Sequence, residues 1–406
     1  MTIRPDTSTA HIDLVSASFR NDPYPALRAL REHDPVHYDP RWNAWLITRY
    51  DDVVRGTAHP DISADRITPR LRQFPPAHRD RFRPLAEVLS RWPLMADPPE
   101  HRPLRAPVTR SMNQRVIRSF QPLVRRTVTE ILDRALARGE LDAVADLAVP
   151  LPLYVVSEII GAPRESHELL KRCAIGIVDF FGAPPATYLS TAAEAFDSVR
   201  EASAHLGELV AQRRRAPGHD LISVLLRNGS SSDEQVVSTC LMMIFAGFET
   251  TTNLLGNGLL LLLRHPGQLA RLRESPDLLP SAIEEMLRLE SPVQRLSRMA
   301  RRDLVLGGRE IRAGDLVFFM LGAANRDPSV FVDPDRFDIA REGRRHQAFG
   351  PGVHACPGAA LARMEAHIAF GELLRRAPVM SLADDDIRWH DNLSVRALRE
   401  LRVRLG

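Results

Sequence analysis

Cys356 stands in the stretch FGPGVHACPGAALARME (349–365), crowded by Gly350, Gly352, Gly358, Pro351, Pro357 and His354. A sulfur in such a place is a nucleophile, a metal ligand or a small buried apolar group. The glycines permit backbone conformations and close approaches that a Cβ would forbid, so the loop is shaped to hold something. Pro357 suits the first turn of a helix, where its missing N–H leaves nothing unpaired. That reading sets Cys356 at the N-cap of a helix running to about Arg376, where free amides and the helix dipole favour a thiolate. His354 and Cys356 form the only close ligand pair, and no second pair matches it, which argues against a zinc site.

A second group of polar residues interrupts the most extended apolar run, 236–263, which holds Glu249, Asn253, Asn257 and four threonines. Three- and four-residue spacing places Met242, Phe245, Ala246, Glu249, Thr250 and Asn253 on one face of a helix over about 234–264. Burying an acid and a hydroxyl there is costly without partners. Either Thr250 bonds back to a carbonyl one turn earlier and Glu249 meets an arginine, or both face a site that uses them. Two further pairs have helical spacing: His101 with Arg105, four apart, and Glu285 with Arg288, three apart.

The elements that must position these residues are mostly helical. Apolar residues recur at three- and four-residue intervals in YPALRALREH, over 116–139, 195–216 and 280–290, and from Pro357 to about Arg376. Strand signals are short: PVHYDP, NAWLITRY, DLVLGGREIRAGDLVFFM with a Gly-Gly hairpin turn, and the C-terminal SVRALRELRVRL. Between 322 and 355 the chain is rich in Pro, Asp, Arg and Gly and has little periodicity, and unstructured segments of that length are usually functional. No repeat or linker divides residues 1–406. The fold expected is a single, mainly α domain with a small β portion.

Composition removes several classes. The chain has 406 residues, 44% of them hydrophobic, enough for a large core. Its 54 basic and 51 acidic side chains leave +3, giving no reason to expect nucleic acid or an anionic membrane as partner. Three cysteines without a CxxC pair point away from a disulfide framework and toward the cytoplasm. The N-terminus lacks an apolar signal segment, and the run 236–263 is too interrupted for a membrane span, so a soluble, monomeric protein is expected.

The pattern F-G-x-G-x-H-x-C-x-G-x-x-L-A-R-x-E around Cys356 resembles the haem-binding loop (349–358) of the cytochrome P-450 family, the haem-thiolate monooxygenases. AGFETT (246–251) is similar to that family's oxygen-activation motif, EEMLR (284–288) holds its Glu-x-x-Arg pair, and ADPPEHRPLR (96–105) resembles its bacterial helix-C motif. ANRDP (324–328) and FVDPDRF (331–337) resemble the meander before the cysteine loop. The resemblance implies one triangular, α-rich domain holding haem b.

It also implies roles. Cys356 would ligate the iron, a thiolate being an electron-rich axial ligand that favours O–O cleavage. Phe349 and Gly350 would line the cofactor's proximal side, and Ala246 its distal side. Thr250, in a local widening of its helix, and Glu249, in a proton relay, would serve dioxygen activation. His101, Arg105, Arg298 and His354 would hold the haem propionates, and Arg336 would join Glu285 and Arg288. Phe180, Phe181, Met242, Phe245, Val293 and Gln294 are the expected substrate contacts. The arginine- and proline-rich segment 66–92 reads as a solvated mobile loop or a reader of an acidic or carrier-bound substrate, the loop being favoured. Pro357 removes one amide that could donate to the thiolate, so the iron potential should be low. Dioxygen would be co-substrate, and electrons would come from NAD(P)H through a ferredoxin or flavodoxin and its reductase, docking near Arg344, Arg345 and His346. A haem-thiolate sensor without turnover is the alternative; it would need Cys356 but neither Glu249 nor Thr250.

Overall fold

The computed structural model describes residues 12–72, 74–227, 232–343 and 345–406. Arg344, one of the expected docking residues, lies outside them. The helical part is built on α1 (Pro76–Ser90), α2 (His101–Ser111), α3 (Gln121–Arg138), α4 (Pro150–Ile160), α5 (His167–Gly182), α6 (Tyr188–Arg215), α7 (Asp233–Arg264), α8 (Leu279–Leu289) and α9 (Ala359–Arg376), with shorter helices between them.

The central helix is α7. Its start is set by Ser232, whose hydroxyl accepts from the Gln235 amide, and by Asp233 and Glu234 in the first turn. From Leu254 to Leu262 every residue is buried, so the helix is surrounded rather than laid on a surface. It packs against α4, α5 and α6 on one side and α8 and α9 on another. Gly258 allows the last of these approaches: a Cβ there would come within 2.8 Å of Met286 on α8 and of Phe370 on α9.

The β portion is larger than expected from sequence. One sheet has the order β1 (Val36–Asp39), β2 (Ala44–Ile47), β8 (Leu316–Met320), β5 (Arg295–Ala300), β3 (Ile62–Ser63), with only β2 and β8 parallel. β4 (Glu140–Asp142), β10 (Arg402–Leu405) and β9 (Met380–Leu382) form a second sheet. The expected hairpin is present as β6 (Leu304–Leu306) and β7 (Arg309–Ile311), turning through Gly307 and Gly308 at φ +54° and +79°.

Four sequence expectations change. The helix over 116–139 is two, Gln114–Ser119 and α3, because Pro122 opens a new helix. The C-terminal strand begins only at Arg402. The segment 66–92 is not a loop: it forms a helix, Ile67–Arg72, and then α1, which buries Phe82, Leu85, Ala86 and Leu89 at helical spacing. The final helix starts at Ala359, capped by Gly358, so Cys356 precedes it by three residues and Pro357 lies outside it.

Candidate active site

An apolar cavity of about 280 Å³ opens between α7 and the cysteine loop. Met242, Phe245, Ala246, Glu249 and Thr250 line it from α7, and Phe349, Gly350, His354 and Cys356 from the loop. Phe181, Val293, Arg105 and Arg298 also line it. The structure therefore brings together most of the residues singled out by sequence, from elements hundreds of positions apart.

The loop holds its shape through backbone bonds. The Cys356 amide donates to the Phe349 carbonyl at 2.8 Å, and Gly350 and Gly352 both take φ of +70°, where other residues are strained. Cys356 is exposed, but into the cavity rather than at the outer surface. Burial in the surrounding protein raises its pKa; the amides of Gly358 and Ala359 and the charges of Arg105 and Arg363 work the other way. Two amides thus serve the sulfur although Pro357 offers none. Behind the loop, the Phe349 ring lies 4.4 Å from the Arg363 guanidinium, which Glu284 holds through bonds of 2.6 and 2.8 Å. His346 binds the same carboxylate at 3.2 Å and is buried, so it is committed inside the protein and not free to meet a partner; Arg345 is exposed.

Four basic groups gather at the loop's other flank. The rings of His101 and His354 are 4.5 Å apart, Arg105 donates to the Ala355 carbonyl, and Arg298 is buried and donates to the Ser297 carbonyl at 2.8 Å. Burial lowers Arg298 to about 10, and burial followed by Arg298, His101 and Arg105 lowers His354 to about 3. His101 Nε2 is buried with no hydrogen-bond partner among the described residues. Concentrated positive charge beside an orphaned donor is what an anionic ligand edge requires. The residues fit a haem: a cavity-facing sulfur, a glycine-shaped loop, and buried cations for two carboxylates.

Across the cavity, α7 is α-helical throughout, without the expected widening, and Thr250 Oγ1 donates to the Ala246 carbonyl at 2.9 Å. Among the described residues, Glu249 meets no arginine. Burial and the nearby charge of Asp179 push it up to about 7. Asn253, one turn on, opposes that shift; its Nδ2 is buried and reaches no partner in good geometry among the described residues.

Two expected substrate contacts are misplaced. Phe180 turns toward Tyr188, ring centroids 5.0 Å apart, while its neighbour Phe181 faces the cavity, since successive residues on a helix point about 100° apart. Gln294 packs beside Gly322 and donates to the Ser291 carbonyl at 2.7 Å, away from the cavity. Cavity residues that sequence reasoning missed include Glu365, and Pro152, Val156 and Ile159 of α4, whose apolar pattern reads simply as core. Arg336 does not join the ion pair either. Glu285 and Arg288 bond at 2.7 and 2.8 Å, and Arg341 supplies the second guanidinium at 3.0 Å. The side chain of Arg336 is exposed, and only its carbonyl takes part.

Residues 189–399 match the family model described as "Cytochrome P450". The chain is 37% identical to "Biotin biosynthesis cytochrome P450" of Bacillus subtilis (strain 168) over 96% of its own length and 97% of the relative's. This chain belongs to the cytochrome P450 family. It is also 36% identical to "Cytochrome P450 monooxygenase PikC" of Streptomyces venezuelae, covering 95% of this chain and 92% of that one. A crystal structure of P450BioI in complex with hexadec-9Z-enoic acid ligated acyl carrier protein superposes with a TM-score of 0.90 at 36% identity, over 96% of this chain and all of that one. Cytochromes P450 are haem-dependent monooxygenases that use dioxygen, so the protein is an oxidoreductase with a mainly α P450 fold.

Proposed function

We propose that this P450 inserts one atom of dioxygen into a small or medium-sized, largely apolar molecule, by hydroxylation or epoxidation, in bacterial biosynthetic or catabolic metabolism. The observation that carries this reading is the facing of Cys356 by Glu249 and Thr250 across one apolar cavity. A haem-thiolate sensor would have no use for those two residues.

Bound by Cys356, the haem supplies dioxygen activation and electron transfer. Arg105, Arg298, His101 and His354 hold its carboxylates. Glu249, poised near neutrality, gives and takes protons at its carboxyl, and the Thr250 hydroxyl passes or orients them. Met242, Phe245, Phe181 and Val293 orient the apolar substrate and keep bulk water out. Electrons come from NAD(P)H through a ferredoxin or flavodoxin and its reductase, acting in the cytoplasm with the exposed Arg345 near the docking face. Support comes from relatives named for biotin and polyketide biosynthesis. The test is turnover under isotope-labelled dioxygen with a ferredoxin, its reductase and NADPH. One labelled oxygen atom in the product supports the reading; activity that peroxide supports but dioxygen with the redox partners does not, or label arriving only from water, contradicts it.

A further inference from the structure

Three polar residues of α7 lie along one stripe, each four positions from the last: Glu249, Asn253 and Asn257. Asn257 is anchored, its Nδ2 donating to the Arg396 carbonyl of the C-terminal segment at 2.8 Å. Its Oδ1 is buried and receives no hydrogen bond among the described residues. Asn253, one turn closer to the cavity, is buried as well, and its Nδ2 finds no acceptor among them. Thr252 beside it shows the contrast, its hydroxyl reaching the Ala148 carbonyl at 2.9 Å. A buried donor and a buried acceptor are thus left over on neighbouring turns of one helix, although such groups destabilise a fold unless something uses them.

The amide nitrogen of Asn253 carries two hydrogens. One can serve Asn257 Oδ1, and the other the carboxyl of Glu249, which lines the cavity one turn away. Few charges bear on that carboxyl. From α5 comes Asp179, whose charge favours the neutral acid and whose Oδ1 accepts from Asn392 Nδ2 at 3.4 Å. His390 of the C-terminal turn and Glu194 of α6 bear on Asp179. Facing the cavity, α4 presents the apolar Pro152, Val156 and Ile159, and Glu365 of α9 is pushed toward its neutral form by burial. Against burial and Asp179, the group that favours the Glu249 carboxylate is Asn253.

We propose that Asn253 is a positioning residue for the proton relay, receiving Glu249 as a carboxylate once the acid has passed its proton into the cavity beside Thr250. The carboxylate left behind takes a hydrogen bond from Asn253 Nδ2 until a proton from solvent restores the acid. A donor set in place and unpaired at rest needs no reorganisation when that charge forms. The inference rests on the reading of Glu249 as the acid of the relay and assigns the residue that sets the pH range in which it works.

The haem-loaded protein carries the test without a substrate. Infrared difference spectroscopy follows the carboxyl C=O stretch of Glu249 across the neutral pH range, and Glu249→Gln identifies the band by its loss. In Asn253→Leu and in Asn253→Ala, which have no donor, the midpoint should rise by about one pH unit or more, the worth of a hydrogen bond to a charged group. Leucine dries the site and alanine admits water, so a rise common to both reports the donor. Asn253→Ser, whose hydroxyl still donates, should move the midpoint less. A midpoint unchanged or lower in either folded donor-less variant, Asn253→Ser moving as far as they do, or a Glu249 band that does not titrate across the neutral range overturns the proposal. The ferrous–CO spectrum separates these outcomes from failure of the P450 reading itself, because a thiolate-type Soret band certifies the haem site whatever the Glu249 band does.

Discussion

At the scale of single residues, Glu249 is the group whose protonation matters most. Its pKa near 7 means that the acid form is lost as pH rises through that value. Product formed per NADPH should therefore fall across this range and peroxide release should rise. Glu249→Gln should flatten the profile and slow turnover by about a hundredfold, read from paired product and peroxide assays. Glu365 presents the opposite problem. It is buried, its Oε2 has no partner among the described residues, and burial raises it to about 8. Because the folded state holds this proton more tightly than the unfolded chain does, stability is favoured below about pH 4.5 and lost as pH climbs through 8. Glu365→Gln should match the natural protein in acid and exceed its melting temperature at alkaline pH. With no amide at Pro357, the sulfur is served by the amides of Gly358 and Ala359. Pro357→Leu, which restores an amide, should raise the haem potential in a redox titration; an unchanged or lower value contradicts this. Cys356 was legible because glycines needing positive φ flank it and its partners are close in sequence. Phe180 and Gln294 misled because a residue's type does not say which side of its backbone it faces.

At the scale of elements, the ion cluster of Glu285, Arg288 and Arg341 joins α8 to the irregular segment that leads into the cysteine loop. Arg288 also donates to the carbonyls of Asn325 at 2.9 Å and Pro334 at 2.6 Å. Removing the carboxylate leaves two guanidiniums without their partner in a buried place. Glu285→Ala should cost about 3–5 kcal/mol in denaturant unfolding and release haem more readily. The Glu285–Arg288 pair was readable from its three-residue spacing. Its third member was not, because Arg336 and Arg341 both lie in a segment without periodicity and only the fold decides which turns inward. The long helices were legible for a related reason: α7 carries its own cap and apolar residues recurring at helical spacing over many turns. β3, β4 and β9 span only two or three residues, too few for alternation to register, and exist because neighbouring strands supply their hydrogen bonds.

At the scale of the whole molecule, near-neutral charge concealed local structure. The stretch 66–91 holds seven arginines against Asp80 and Glu87, while the full chain carries only +3. Such a stretch reads as a solvated loop until its apolar residues are seen buried against α6, which turns it into part of the cavity's surroundings and sets Arg66 at the wall. The mainly α class followed from periodicity, and the specific fold from motifs that only folding brings together. The claim on which everything else depends is that Cys356 ligates haem iron as a thiolate. The ferrous–CO difference spectrum of the purified protein tests it most directly. A thiolate-type red-shifted Soret band in the natural protein, abolished in Cys356→Ser, is the predicted result. Absence of that band from the haem-loaded natural protein, or its persistence in Cys356→Ser, would contradict the account.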